Sequence, residues 1–109
     1  MDITFSYKGE NYKLEFDRDI IYQMASKGLT NEFITSNADV VLPDLFYHAF
    51  LKHHKYVNRK LAMEMLDKIK NKEQFYVTLY EIYRAPLEAL FEEPSDDEGN
   101  IEWEVSKTH

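Results

Sequence analysis

The sequence predicts an α+β fold, in which an N-terminal β-hairpin packs on a small, mostly antiparallel bundle of four to five helices and a flexible acidic tail follows. Apolar residues alternate with polar ones at the start of the chain, then recur at helical spacing, while acidic residues concentrate at the end. The chain has 109 residues, of which 44% are hydrophobic, so one domain with a packed core is expected.

Two short segments near the N-terminus have the alternation that is typical of strands. Their apolar positions are Ile3, Phe5 and Tyr7 in the first and Tyr12, Leu14 and Phe16 in the second. Residues 8–11 separate them, and Gly9 or Asn11 can adopt a positive φ there at little cost. Because a lone hairpin is only marginally stable in water, its apolar face is expected to cover the helices.

The helical spacing begins after the hairpin. Asp17 is the predicted N-cap of the first helix, and Gly28 is its predicted C′ residue. The inner face of this helix is expected to be Ile20, Ile21, Met24 and Ala25. Residues 29–38 are rich in turn formers, and we interpret them as a loop that could include one helical turn.

The second predicted helix has the clearest apolar pattern, with Leu42, Leu45, Phe46, Ala49 and Phe50 at i, i+3, i+4, i+7 and i+8. Pro43 suits its first turn, where a missing N–H costs nothing. Residues 52–55 are expected to close it with basic groups that suit the negative end of the helix dipole. A third helix is predicted after Asn58, with Leu61, Ala62, Met65, Leu66 and Ile69 on its inner face.

A fourth helix is predicted to start at Asn71, with Gln74 as its capping-box partner. Its inner stripe is Phe75, Leu79, Ile82 and Tyr83, with Tyr76 and Tyr80 beside it. Pro86 is expected to break this helix and to open a short fifth one that ends near Phe91. Residues 1–91 are therefore predicted to be a single domain.

Residues 92–109 carry most of the net charge. They contain seven acidic residues and one base, whereas residues 1–91 contain thirteen acids and twelve bases. Within this predicted tail, Ile101, Trp103 and Val105 alternate with glutamates as in a strand. The composition suits an interaction element, and it suits a solvated end that keeps the protein soluble equally well.

The residues that catalysis would need are not arranged for it. The chain has no cysteine, its serines lie in no nucleophile-elbow context, and its three glycines are far apart. None of the four histidines, His48, His53, His54 and His109, has a partner at a usual metal-binding spacing. We therefore expect no enzymatic activity, no cofactor and no metal.

Nucleic acid and membrane are not expected as partners. A pI near 5.0 opposes phosphate binding, and no stretch approaches the roughly 20 apolar residues that span a bilayer. The only basic patch, Lys52, Lys55, Arg59 and Lys60, could bind nucleic acid, but surplus negative charge elsewhere opposes this. More simply, the patch could dock the acidic tail of the same or another subunit.

Aromatic residues are the strongest candidates for partner binding. The tyrosines of the fourth predicted helix share one side, which suits either a protein-binding face or a wide core face with hydroxyls that reach water. The predicted partner-binding residues are Tyr76, Tyr80, Tyr83, Phe46, Phe50, Ile101, Trp103 and Val105.

Three segments carry a resemblance to a known family: residues 3–16 of the hairpin, Leu45–Leu51 with His53 and His54, and Asn100–Glu104. In this order, the chain resembles small tail-region proteins from phages and prophages of Gram-positive bacteria. These are similar to the tail assembly chaperones of long-tailed phages. The resemblance covers nearly the whole chain.

The resemblance implies a non-enzymatic, self-associating protein of the host cytoplasm that coats the tape-measure protein, keeps it soluble and is absent from the finished virion. It also implies recruitment of tail-tube subunits. The acidic tail could bind such a subunit by adding Ile101, Trp103 and Val105 as a strand to an open edge, or could cover an apolar groove until a client arrives. The alternatives are a structural minor tail or head–tail connector protein, and an acidic inhibitor that mimics nucleic acid. The inhibitor fits less well because the acids lie mainly in a tail.

Overall fold

The computed structural model describes residues 1–95, 99 and 101–106. Within them lie one two-stranded antiparallel sheet and five helices, which confirms the predicted α+β class. The elements are β1 (Ile3–Tyr7), β2 (Glu10–Leu14), α1 (Arg18–Ser26), α2 (Asn31–Ser36), α3 (Ala38–Ala49), α4 (Arg59–Lys68) and α5 (Lys72–Ala89). No helix in this part of the chain is long and apolar enough to cross a lipid bilayer.

A two-residue turn joins the strands. Lys8 and Gly9 both have positive φ, 49° and 80°, which is the geometry of a type I′ turn that matches the twist of a hairpin. Gly9 thus takes the predicted role, while Asn11 lies within β2 opposite Ser6. Phe16 lies beyond the end of β2, but its side chain is buried as the alternation predicted.

The apolar face of the hairpin packs on α3, as predicted. The Phe5 ring lies 6.4 Å from Phe46 and 6.2 Å from Phe50, and Tyr12 meets Phe50 edge to face at 5.7 Å. Such aromatic pairs each contribute about 0.5–1.5 kcal/mol beyond the area they bury. This ring cluster fixes the sheet to the helical part of the molecule.

Both predicted caps of α1 are confirmed. The Asp17 carboxylate accepts a hydrogen bond from the Ile20 amide at 2.9 Å. At the other end, Gly28 has φ +87° and its amide donates to the Ala25 carbonyl, while the Leu29 amide donates to the Met24 carbonyl. These two bonds form a Schellman motif. Ala25 is exposed, so its predicted place on the inner face is wrong.

Helix α2 occupies much of the segment predicted as a loop. The Thr30 hydroxyl accepts from the Phe33 amide at 3.2 Å and caps the helix, and the Ile34 side chain is fully buried. The six residues of α2 therefore form more than the single turn considered from sequence. The burial of one apolar side chain outweighs the local preference of the turn formers around it.

Helix α3 begins earlier and ends earlier than predicted. It starts at Ala38, because the Asn37 carbonyl accepts from the Val41 amide at 2.8 Å and Val41 is buried. Pro43 is therefore the sixth helical residue and does not lie in the first turn. Residues 52–55 lie beyond the C-terminus of α3 and do not form its last turn.

The predicted start of α4 is confirmed, since the Asn58 side chain accepts from the Leu61 amide at 2.8 Å. The predicted capping box of α5 is wrong. Asn71 precedes α5 in the left-handed region, at φ 56°, without a side-chain cap, and Gln74 donates to the Thr78 hydroxyl. With a left-handed backbone at Asn71, the reciprocal bonds of a capping box, which need an extended N-cap, are not made.

Pro86 does not break α5, which continues to Ala89. The separate short helix that was predicted to begin at Pro86 is therefore part of α5. Proline removes the one hydrogen bond that its own N–H would donate. Leu87 packs against the core on the far side of Pro86, and this contact favours continuation of the helix.

Candidate partner-binding surfaces

Three of the predicted partner-binding residues lie in the core. Phe46 and Phe50 are fully buried, and Tyr83 is 1% exposed. Phe46 also meets Phe75 of α5, and Tyr83 meets Phe16. They are therefore core residues, and a partner would reach them only if the fold opened. Each lies on the apolar face predicted for its helix, and this position in the sequence pattern indicates burial.

Tyr76 and Tyr80 use their hydroxyl groups to hold α2 against α5. The Tyr76 hydroxyl donates to the Ile34 carbonyl at 3.0 Å, and the Tyr80 hydroxyl donates to Asn31 Oδ1 at 2.7 Å. Burial raises the pKa of Tyr76. The sequence did not reveal these contacts because it did not predict α2. Both rings remain partly exposed.

An apolar groove lies between the N-terminal halves of α3 and α5, with a volume of about 350 Å³. We call it the α3–α5 groove. Its apolar lining is Ala38, Leu42, Tyr76 and Val77. Val77 is 47% exposed, although it lies beside the buried stripe of α5. The sequence prediction did not include Val77. Its apolar side chain at a position outside the predicted inner stripe of its helix is the feature that could have indicated this surface.

Charged residues form the rim of this groove: Asp39, Lys72 and Glu73. The Lys72 ammonium donates to the carbonyls of Asp67 and Ile69, at 3.3 and 2.8 Å, so it is held against the end of α4. The rim therefore carries two carboxylates and one ammonium group that already has two carbonyl partners. An apolar groove with an acidic rim favours a helix that carries an apolar stripe flanked by basic residues.

The predicted tail residues are among the exposed large apolar side chains that follow α5. Ile101 is 86% exposed, Trp103 is 82% exposed and Val105 is 68% exposed. Residues 101–106 form no strand or helix. We call residues 101–105 the tail segment. Its side chains are available to a partner, but a role in partner binding stays a prediction.

The basic patch is partly neutralised by its neighbours. Lys52 lies 3.2 Å from the Glu15 carboxylate, and Arg59 lies 2.6 Å from Asp44 and over the Tyr47 ring. Among the described residues, ion pairs do not join this patch to the acidic tail. Two of the four cations, Lys52 and Arg59, thus belong to an intramolecular network that includes Glu15 and Asp44.

Each described histidine has a structural contact. His48, the histidine that lies on α3, is buried, and its Nδ1 lies 2.7 Å from the Asp44 carbonyl. His53 Nε2 lies 2.7 Å from Glu15, and His54 Nε2 accepts from the Lys13 amide at 2.9 Å. The fourth, His109, lies outside the described residues. Within those residues, no group of three metal-ligating side chains is placed to hold an ion.

Searches of curated proteins and of solved structures returned no significant match. One protein-family model matches residues 1–107, which is nearly the entire chain. The chain therefore belongs to the family described as Domain of unknown function (DUF5055).

Proposed function

We propose that this protein is a non-enzymatic tail assembly chaperone of a long-tailed phage, which binds the tape-measure protein and keeps it soluble during assembly. The observation that carries the proposal is the α3–α5 groove, an exposed apolar surface with an acidic rim. The resemblance of the hairpin, of Leu45–Leu51 and of Asn100–Glu104 to tail-region proteins supplies the biological setting.

The groove has the character needed for a helical client. Amphipathic helices dock by placing side chains at i, i+3 or i+4, and i+7 into an apolar groove. Leu42 and Val77 lie on opposite walls of the α3–α5 groove, so a client side chain between them contacts both helices. Fully burying one Leu or Val side chain contributes about 1.5–3 kcal/mol, so a few anchors provide useful affinity.

The charge distribution favours a basic, helical client and opposes nucleic acid. The net charge is −7, and the rim carboxylates Asp39 and Glu73 lie beside the groove. Complementary charge increases association rates and discriminates between partners more than it increases affinity. The proposed client segment is therefore an apolar helix flanked by Lys or Arg.

Several copies would coat one tape-measure chain in the host cytoplasm and leave before the virion is complete. The tail would meet the major tail protein, through the exposed Ile101, Trp103 and Val105. An apolar segment of this kind fits a protein that hands its client to tail-tube subunits. A coat of this kind needs self-association as well as client binding.

Co-expression with the neighbouring tape-measure protein tests the proposal. The expected result is a soluble complex with several copies of this chain per tape-measure chain, measured by pull-down and light scattering. An insoluble tape-measure protein, with this chain alone in the supernatant, would overturn the proposal. Detection of this chain in purified particles would favour the structural minor tail or connector protein instead.

A further inference from the structure

The two edges of the hairpin differ in their hydrogen bonding. On the outer edge of β2, the Lys13 amide donates to His54 Nε2 at 2.9 Å, and just beyond the strand the Glu15 amide donates to the Ala49 carbonyl at 3.1 Å. The last residue of α3 and the loop after it therefore cover this edge. Covering an edge prevents it from pairing with another strand.

The outer edge of β1 has no such cover. The two-residue turn makes Tyr7 and Glu10 the first hydrogen-bonded pair, so Phe5 and Ile3 also bond to β2. The main-chain groups of Thr4 and Ser6 consequently point away from β2. Among the described residues, no hydrogen bond is made to either of these amides. β1 thus offers two amides and two carbonyls to a further strand.

The inner face of the sheet is also less covered at β1 than at β2. Tyr12 and Leu14 of β2 are 5% and 0% exposed, whereas Ile3, Phe5 and Tyr7 of β1 are only partly buried. Side chains from a third strand beside β1 would cover these residues on the same face. The core is therefore incomplete on the side where the edge is open.

The tail segment has the pattern that this position requires. In an extended segment, Ile101, Trp103 and Val105 lie on one face and Glu102 and Glu104 on the other. All three apolar side chains are at least 68% exposed in the single chain. We propose that the tail segment of one copy adds as a third strand to the open β1 edge of a second copy.

Charge fits the same arrangement. With the apolar residues on the inner face, Glu102 and Glu104 lie on the outer face beside Thr4 and Ser6. Lys13 lies opposite Thr4 on that face, and among the described residues its one ion pair is with Asp2, at 3.6 Å. The outer face therefore offers the Lys13 cation and the Thr4 hydroxyl to the glutamates of the tail segment, whereas the Ser6 hydroxyl already donates to Asn11 Oδ1 at 2.6 Å.

The second copy is the favoured acceptor because the tail segment does not pair with the β1 edge of its own chain. In the single chain, both the tail segment and the β1 edge therefore stay exposed. An edge and a strand on different parts of one chain form a heterologous contact, which builds rings or open filaments. This inference supplies a contact for the self-association in the proposed function and does not depend on the identity of the client. A tail segment held by a second copy has to leave it before the same residues meet a tail-tube subunit.

Disulfide trapping tests the arrangement, because the natural chain contains no cysteine. One variant carries Thr4→Cys and a second carries Glu102→Cys or Glu104→Cys, all at exposed positions. Mixing them under mild oxidation should give a covalent heterodimer with at least five times the yield of the control. Neighbouring strands bring Cα atoms within the distance that a disulfide spans.

The matched control is Asn11→Cys, an exposed position opposite Ser6 that lies on the same face but one strand further away, about 10 Å from the added strand. Equal yields from Thr4→Cys and Asn11→Cys would overturn the proposal. A chain with both Thr4→Cys and Glu104→Cys distinguishes the two acceptors. If it closes within itself and the mixed single variants do not crosslink, the strand belongs to its own chain and the proposal fails.

Mass in solution gives an independent readout. The natural chain should exceed the monomer mass of 13.0 kDa by light scattering, and Trp103→Asp should reduce it to the monomer. Phe91→Asp is the control, because Phe91 is 84% exposed but lies outside the tail segment. A monomeric natural chain at 100 µM, or an unchanged mass for Trp103→Asp, would contradict the proposal.

Discussion

The main-chain amide of Lys13 donates a hydrogen bond to Nε2 of His54 at 2.9 Å, and this bond requires the neutral imidazole. It ties the outer edge of β2 to the loop after α3. Burial, and then the neighbouring His53, lower the pKa of His54 below its usual 6.5. Glu10 acts in the opposite direction but more weakly. The contact that protects one edge of the hairpin is therefore sensitive to acid.

Stability is expected to fall as the pH is lowered through about 6.5, where unfolded His54 takes up a proton that the folded form resists. Above that pH the contribution is fully present. Denaturant unfolding between pH 5 and pH 8 measures the slope. In His54→Gln, the amide oxygen can accept the same bond without titrating, so the slope should be smaller. The difference in unfolding free energy between pH 8 and pH 5 should decrease by about 1 kcal/mol. An unchanged slope would contradict this role.

His48 should add to the same acid sensitivity. Its Nδ1–H donates to the Asp44 carbonyl, its Nε2 has no partner among the described residues, and burial lowers its pKa. Protonation would place a charge in the core, so this contribution is also lost as the pH falls below about 6.5. His48→Leu should flatten the slope and keep stability at pH 7 within about 1 kcal/mol. A large loss at pH 7 would show that the imidazole is needed for packing.

Tyr76→Phe and Tyr80→Phe should each destabilise the protein by about 1 kcal/mol. Each substitution removes one hydroxyl that holds α2, either at the Ile34 carbonyl or at Asn31. Amide exchange within residues 31–36 should accelerate more than exchange in α4. Tyr22→Phe serves as the control, since Tyr22 is 53% exposed. Equal effects at positions 22, 76 and 80 would argue against anchoring of α2.

Gly28→Ala should cost about 1 kcal/mol in unfolding free energy. Gly28 has φ +87° in the Schellman motif that ends α1, and an added Cβ would meet no atom within 4 Å. The cost is therefore purely conformational. Thermal unfolding measures it, and Gln23→Ala at an exposed position of α1 is the control. A stabilised Gly28→Ala variant would contradict the assigned backbone role.

The parts of the fold that were predicted correctly depend on local rules. Alternation defined the hairpin, Asp17 and Asn58 capped their helices, and Gly28 ended α1. The errors arose where a distant contact decides the outcome. Burial of Ile34 makes α2 a helix, and the core contact of Leu87 favours continuation of α5 past Pro86.

The candidate surface was harder to predict than the fold. Aromatic spacing does not distinguish a core face from a binding face, and Phe46, Phe50 and Tyr83, which were predicted to bind a partner, are buried in the core. The α3–α5 groove exists only because two helices distant in sequence lie side by side. The pattern of α5 alone does not predict that Val77 faces a groove, because α3 forms the other wall. Exposure of the tail segment agrees with its composition.

Aspartate substitutions at two exposed valines test whether the α3–α5 groove binds the client. Val77 lines the α3–α5 groove and is 47% exposed, whereas Val40 is 65% exposed on α3 outside it. Each is replaced by aspartate, and the yield of soluble tape-measure protein is measured on co-expression. We expect at least a tenfold loss for Val77→Asp and the natural yield for Val40→Asp. Equal yields from the natural chain and both variants would contradict it.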